Sequence, residues 1–179
     1  MAERDQRPSP GWIQQLLARH EASLIRYAYR ITHNAEQARD VVQETFLKLC
    51  REFPAEINGH ATAWLYTVCR HRAIDMRRKE QRMSPTLDVL QLTSNAGEHD
   101  PHDAAVMQDE FRQIYDRFKH LPDNQQEVIR LKFQSGLSYK EISEVTGTSV
   151  TQVGVLIHCG IKMLRQQCGV RTAKSDAES

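Results

Sequence analysis

Two serines, each followed three positions later by an acid or an amide, constrain this chain more than any other feature in it. Ser138-Tyr-Lys-Glu141 and Ser149-Val-Thr-Gln152 both have the form in which a serine side chain caps a helix and the later residue reaches back to the serine's N–H. Between them, Thr146 to Ser149 contains Gly147, which is free to take the left-handed backbone that a tight turn needs. Apolar residues follow each box at helical spacing: Ile142 and Val145 after the first, and Val150, Val153, Ile157, Ile161 and Leu164 after the second. The pattern predicts a short helix, a turn and a longer helix, which is a helix-turn-helix from Ser138 to about Gln167.

The rest of the chain uses the same periodicity. Leu24, Tyr27, Ala28 and Ile31, preceded by Ile13, Leu16 and Leu17, predict one or two helices from about Pro10 to Thr32. Asn34 is placed to cap a helix that carries Ala38, Val41, Val42, Thr45, Phe46 and Leu49 on one face until Pro54 stops it. Its other face shows Asp40, Gln43, Glu44 and Lys48. After the loop Pro54 to Thr62 comes a helix from about Thr62 to Arg82, with Leu65, Val68, Cys69 and Met76 on the side expected to be buried. Toward the C-terminus, Ala104 to Lys119 lacks helix breakers and carries Phe111, Ile114, Tyr115 and Phe118. Pro122 then suits the first turn of a helix that buries Val128, Leu131 and Phe133 and stops at Gly136.

No segment alternates as a strand would, so the expected fold class is all-α. Two small helical domains, 11–82 and 111–169, are joined by a flexible acidic linker at 83–110, with loose tails at 1–10 and 170–179. The 179 residues are 40% hydrophobic and 26% charged, enough apolar content for folded helical cores.

A net charge of +1 conceals segregation. From Thr62 to Arg82 there are six cations (Arg70, Arg72, Arg77, Arg78, Lys79, Arg82) against Asp75 and Glu80. From Met83 to Glu110 there are six acids (Asp88, Glu98, Asp100, Asp103, Asp109, Glu110) and no Lys or Arg. No apolar run has the length of a membrane span, and the polar start has no hydrophobic signal core, so a cytoplasmic protein without membrane insertion is expected. Cys50, Cys69, Cys159 and Cys168 form no C-x-x-C pair, and no histidine pair sits at metal-binding spacing beside a carboxylate. The expectation is therefore no metal, no cofactor and no enzymatic chemistry.

Two segments instead carry chemistry suited to nucleic acid. On the last helix, Thr151, Gln152, Val155, His158, Lys162 and Arg165 fall away from the apolar stripe and are placed to face DNA, with Ser138, Tyr139, Lys140 and Ser149 at the two helix starts. Taken alone, His158 reads equally well as a solvated surface histidine. The basic helix interleaves Trp64 and Tyr66 with Arg70, His71, Arg77 and Arg78, a mixture that suits a phosphate backbone and the faces of unstacked bases. A merely solvated basic face and an ordinary helical hairpin are the bland alternatives.

Asp40-Val-Val-Gln-Glu-Thr-Phe-Leu-Lys-Leu49, followed by Trp64-Leu-Tyr-Thr-Val-Cys-Arg-His-Arg-Ala-Ile-Asp-Met-Arg-Arg78, closely resembles region 2 of bacterial RNA polymerase sigma factors. Leu121-Pro122, Gln125, Val128, Leu131, Gly136-Leu-Ser-Tyr-Lys-Glu-Ile142 and Ser149 resemble region 4 of the same family. With these two regions and a short linker the chain resembles the extracytoplasmic-function group, over about residues 12 to 168.

The resemblance implies that Asp40, Gln43, Glu44, Phe46 and Leu47 dock on the core RNA polymerase. It implies that Asn58, Gly59 and His60, with Trp64, Tyr66, Arg70, His71, Arg77 and Arg78, take the melted non-template strand of the minus-ten element. It further implies that the helix-turn-helix binds the minus-thirty-five duplex, that the acidic linker runs through positively charged polymerase channels, and that an anti-sigma factor is a partner to look for.

The chain also departs from the family. Where members often read V-K-S-R-L-H-R-A, it has Val153-Gly-Val-Leu-Ile-His-Cys-Gly160, so positions that usually bind phosphate are apolar or Gly. Either its minus-thirty-five contacts differ, or Val155, Leu156 and Met163 serve a protein partner. The rival to a promoter-directing sigma factor is a stand-alone helix-turn-helix regulator, which leaves the Asp40 to Leu49 motif without a purpose.

Overall fold

The computed structural model describes residues 10–52, 57, 60–83 and 108–167. They form seven helices: α1 Pro10–Thr32, α2 Ala35–Glu52, α3 Ala61–Met83, α4 Gln108–Lys119, α5 Asp123–Phe133, α6 Tyr139–Thr146 and α7 Val150–Gln167. The tails and the linker stretch 84–107 lie outside the described residues, apart from Pro10, which opens α1. Asp109 and Glu110, assigned to the linker from their charge, belong to the first turn of α4.

In the first body α1, α2 and α3 each pack on the other two. With no breaker between Trp12 and Thr32, α1 is one helix and not two. It ends where His33 takes a left-handed backbone (φ 55°) and donates its N–H to the Tyr29 carbonyl at 2.7 Å. The Asn34 side-chain oxygen then accepts from the backbone N–H groups of Glu36 (2.9 Å) and Gln37 (3.1 Å), so α2 starts as the sequence predicts.

Leu24, Val41, Leu49 and Leu65 are fully enclosed in the core of this body. Each such aliphatic side chain contributes about 1.5–3 kcal/mol on burial. Tyr27 and Tyr66 meet edge to face inside it, ring centres 5.3 Å apart. The segment before α3 is anchored by Ile57, which is buried and accepts the His60 N–H at 2.9 Å. Met76, expected on the buried side of α3, is half-buried.

In the second body α7 packs on α5 and α4. The α4–α5 corner is closed by Gln126, whose side-chain amide donates to the carbonyls of Lys119 (3.1 Å) and Leu121 (2.7 Å). The Arg130 guanidinium lies over the Phe118 ring at 4.6 Å. Pro122 stands just before α5, not in its first turn, and its carbonyl accepts from Gln125 and Gln126. Gly136 (φ 73°) terminates α5 as predicted, and Leu137 beyond it is buried with its N–H on the Leu131 carbonyl at 3.0 Å. Phe133, in contrast, is 63% exposed and takes no part in the core that its apolar character suggested; Ile129 is buried instead.

At Gly160 α7 leaves little room against α5: a Cβ there would lie 2.6 Å from Ile129 Cδ1 and 3.3 Å from Gln125 Oε1. Among the described residues no helix is long and apolar enough to cross a membrane, and no group of three or more His, Cys, Asp or Glu could hold a metal ion.

Candidate nucleic-acid and partner interfaces

The outward face of α2 is built by alternation at helical spacing. Val41, Val42, Thr45, Phe46 and Leu49 turn into the core, and Asp40, Gln43, Glu44 and Leu47 stand exposed one turn apart on the other side. Phe46 is therefore corrected: it is buried against the first body's core and offers no surface to a partner. Leu47, 46% exposed, is the apolar centre of this face. Glu44 pairs with Arg72 of α3 at 3.7 Å, both side chains being about half exposed. That link between the acidic and basic faces leaves no mark in the sequence of either helix.

On α3, Trp64 and Arg70 are half-buried, whereas His71, Arg77 and Arg78 are exposed. Tyr66 is corrected as well. It is fully buried against Tyr27, and its hydroxyl has no hydrogen-bond partner among the described residues, so it supports the fold and cannot stack on a base. From Arg77 to Arg82 every residue is exposed, so the last turns of α3 present four cations and Glu80 that no element covers among the described residues. A helix that is solvated all round and basic is an electrostatic platform for phosphates. His60 is exposed at the start of α3, its carbonyl accepting the Trp64 N–H at 3.1 Å; Asn58 and Gly59 lie outside the described residues.

His20 of α1, which sequence reasoning passed over, is buried beside the start of α3 with Nε2 3.4 Å from Thr62 Oγ1. Burial, and secondarily the charge of Arg19, hold its pKa below the ordinary 6.5. Cys69 is buried and its thiol is pushed up to about 12 by desolvation, whereas Cys50 and Cys159 are exposed.

The turn between α6 and α7 has the geometry that Gly147 and Ser149 predict. Gly147 sits at φ 71° and donates its N–H to the Ser143 carbonyl at 2.9 Å. Ser149 Oγ accepts the Gln152 N–H at 3.2 Å, and the Ser149 carbonyl accepts the Val153 N–H at 2.9 Å. Beyond this cap Thr151, Gln152, Val155, His158, Lys162 and Arg165 are all exposed, as are Ser138, Tyr139, Lys140 and Ser149. Val153, Leu156, Ile157 and Gly160 face inward. Leu156, offered from sequence as a partner contact, is thus a core residue, and Met163 is only half-buried.

Comparison with known proteins decides which family the chain belongs to. Residues 16–83 match the family model for sigma-70 region 2, and residues 111–164 match that for sigma-70 region 4. An ECF RNA polymerase sigma factor, SigL of Mycobacterium tuberculosis, is 31% identical over 166 residues, covering 88% of this chain and 91% of SigL. The chain belongs to the ECF RNA polymerase sigma factors.

The sigma factor is also similar to RNA polymerase sigma factor YlaC of Bacillus subtilis, 29% identical over 153 residues, with 82% of this chain and 86% of YlaC covered. Its fold resembles that of the sigma factor RpoE of Bartonella quintana, solved with the anti-sigma factor NepR, at a TM-score of 0.68 and 23% identity over 90% of this chain and 98% of RpoE. As a sigma factor it binds core RNA polymerase and promoter DNA and initiates transcription.

Proposed function

We propose that this sigma factor divides the work among three surfaces. The α2 face of Asp40, Gln43, Glu44 and Leu47 docks on the core polymerase. The exposed cations of α3, with His60, Trp64, Arg70 and His71 nearby, hold the melted non-template strand at the minus-ten element. The outer face of α7, with Ser138, Tyr139 and Lys140 at the start of α6, binds the minus-thirty-five duplex.

The observation that carries this division is the separation of charge within one three-helix body. On α2 the exposed Asp40, Gln43, Glu44 and Leu47 share a stripe, on a helix with four acids and three cations (Arg39, Lys48, Arg51), whereas Arg77 to Arg82 of α3 expose four cations and one acid, so a protein partner and a polyanion have different places to bind. The protein contributes no catalytic group of its own; the polymerase performs the chemistry, and the site of action is the cytoplasm where polymerase and chromosome meet. An anti-sigma factor that covers the α2 face would restrain it. A stand-alone regulator has no use for a region 2 body.

Transcription reconstituted with purified core polymerase and a library of promoter fragments tests the reading. Promoter-specific transcripts that need the full chain are expected, and their loss on replacing Asp40 and Glu44, with DNA binding by α7 intact, is the expected signature of the docking face. Transcripts that survive this double replacement unchanged would remove the docking assignment.

A further inference from the structure

The outer face of α7 has a chemistry of its own. From Val150 to Ile161 there is no Lys or Arg, and the exposed side chains are Val150, Thr151, Gln152, Val155, His158 and Cys159. Cations enter only afterwards, as Lys162 and Arg165, on the same stripe. The commonest specific contact in a major groove, a bidentate Arg or Lys on the O6 and N7 of guanine, is therefore absent from the half of the helix that enters the groove. What that half offers is the amide of Gln152, the hydroxyl of Thr151, the imidazole of His158 and two branched aliphatic groups, Val150 in the first turn and Val155 further along.

Two of these groups are held in place by the structure. Gln152 is fixed at its backbone by the Ser149 cap, and its side-chain amide makes no hydrogen bond among the described residues. Val155 lies one turn further on, 49% exposed although β-branched and apolar. The buried positions on either side of it, Val153 and Leu156, hold this register of α7 through the core. Residues three apart on a helix are separated by about 4.5 Å along its axis, close to the spacing of neighbouring base pairs.

We propose that this helix reads an A·T-type step in the minus-thirty-five element, Gln152 pairing its amide with the N6 and N7 edge of an adenine and Val155 packing on the methyl group of a thymine one or two steps away. Lys162 and Arg165 supply phosphate attraction without sequence information. Specificity then comes from an amide and a methyl contact instead of from guanidinium on guanine. The proposal rests on α7 being the minus-thirty-five helix and adds which bases it selects and by which atoms.

The test uses holoenzyme assembled from the full chain and core polymerase. The minus-thirty-five element is selected from randomised duplexes, and each selected thymine is then replaced by uracil, which deletes only the 5-methyl group. The expected result is an element whose strongest positions are A and T, with one thymine whose replacement weakens binding about fourfold, as the loss of one buried methyl group predicts. Val155→Ala should reduce that discrimination to near unity, and Gln152→Ala should relax the adenine position alone. An element dominated by G·C pairs that still depends on α7, or a uracil penalty equal in wild type and Val155→Ala, overturns the proposal while keeping α7 as the reading helix. If substitutions along α7 change binding at no minus-thirty-five sequence, the parent reading and this one fail together.

Discussion

Glu44 of α2 and Arg72 of α3 form an ion pair at 3.7 Å, joining the exposed stripe of Asp40, Gln43 and Glu44 to the basic helix. Both side chains are about half exposed, so the pair contributes little to stability, about 0–1 kcal/mol. Its interest lies in what each partner must do otherwise. While they are paired, each group's attraction for other charges is weakened.

Asp40→Ala with Glu44→Ala is therefore expected to leave helix content and melting temperature nearly unchanged and to weaken core binding about tenfold at low salt, with the difference shrinking as salt rises. Titration of labelled sigma factor with core polymerase at two ionic strengths measures this. An unchanged affinity at low salt would show that the acids face solvent only.

Tyr66→Phe removes a buried hydroxyl that has no partner among the described residues, so the variant should be as stable as the parent or more stable, by up to about 1 kcal/mol. Tyr66→Ala should cost about 3–5 kcal/mol through the cavity beside Tyr27. Urea unfolding checks both. A Phe variant that is stable yet unable to open promoters would return Tyr66 to the DNA.

Gly147 and Gly154 separate backbone need from simple tolerance. Gly147→Ala forces a side chain into a left-handed turn and should destabilise by about 1–2 kcal/mol. Gly154→Ala adds a Cβ in ordinary contact with the Tyr139 ring, 3.7 Å away, and should stabilise the helix by up to about 1 kcal/mol. Opposite signs in thermal melts are the expected outcome; equal effects would contradict the turn geometry.

His20 ties stability to pH. Its folded pKa is depressed, so the unfolded chain binds its proton first as pH falls. The contribution is fully present above about pH 6.5 and is lost progressively on acidification below that value. His20→Gln should flatten this part of the stability profile between pH 7 and 5, as followed by denaturant titration; an identical profile would assign the acid sensitivity to other groups.

Local signals carried most of the helix map. The Asn34 and Ser149 caps and the left-handed glycines at Gly136 and Gly147 act over a few residues, so they could be read from a string. Periodicity placed Asp40, Gln43 and Glu44 opposite the α2 core stripe and Thr151, Gln152 and Val155 opposite that of α7, because residues one turn apart share a face whatever the fold.

What periodicity cannot give is how wide the buried sector is, since that depends on which helices arrive and from where. Phe46 went inside and its neighbour Leu47 stayed out; Leu156 joined the core while Val155, one residue earlier, did not; and Phe133 stayed largely exposed among the described residues. The enclosure of Tyr66 by Tyr27, the approach at Gly160 and the pairing of Glu44 with Arg72 each join segments distant in the chain. The sequence by itself determined the helices, their caps and the separation of acidic from basic segments, all of them local properties. Only the packing of those helices decided which aromatic and aliphatic residues remain free to meet polymerase or DNA, because burial is settled by non-local contacts.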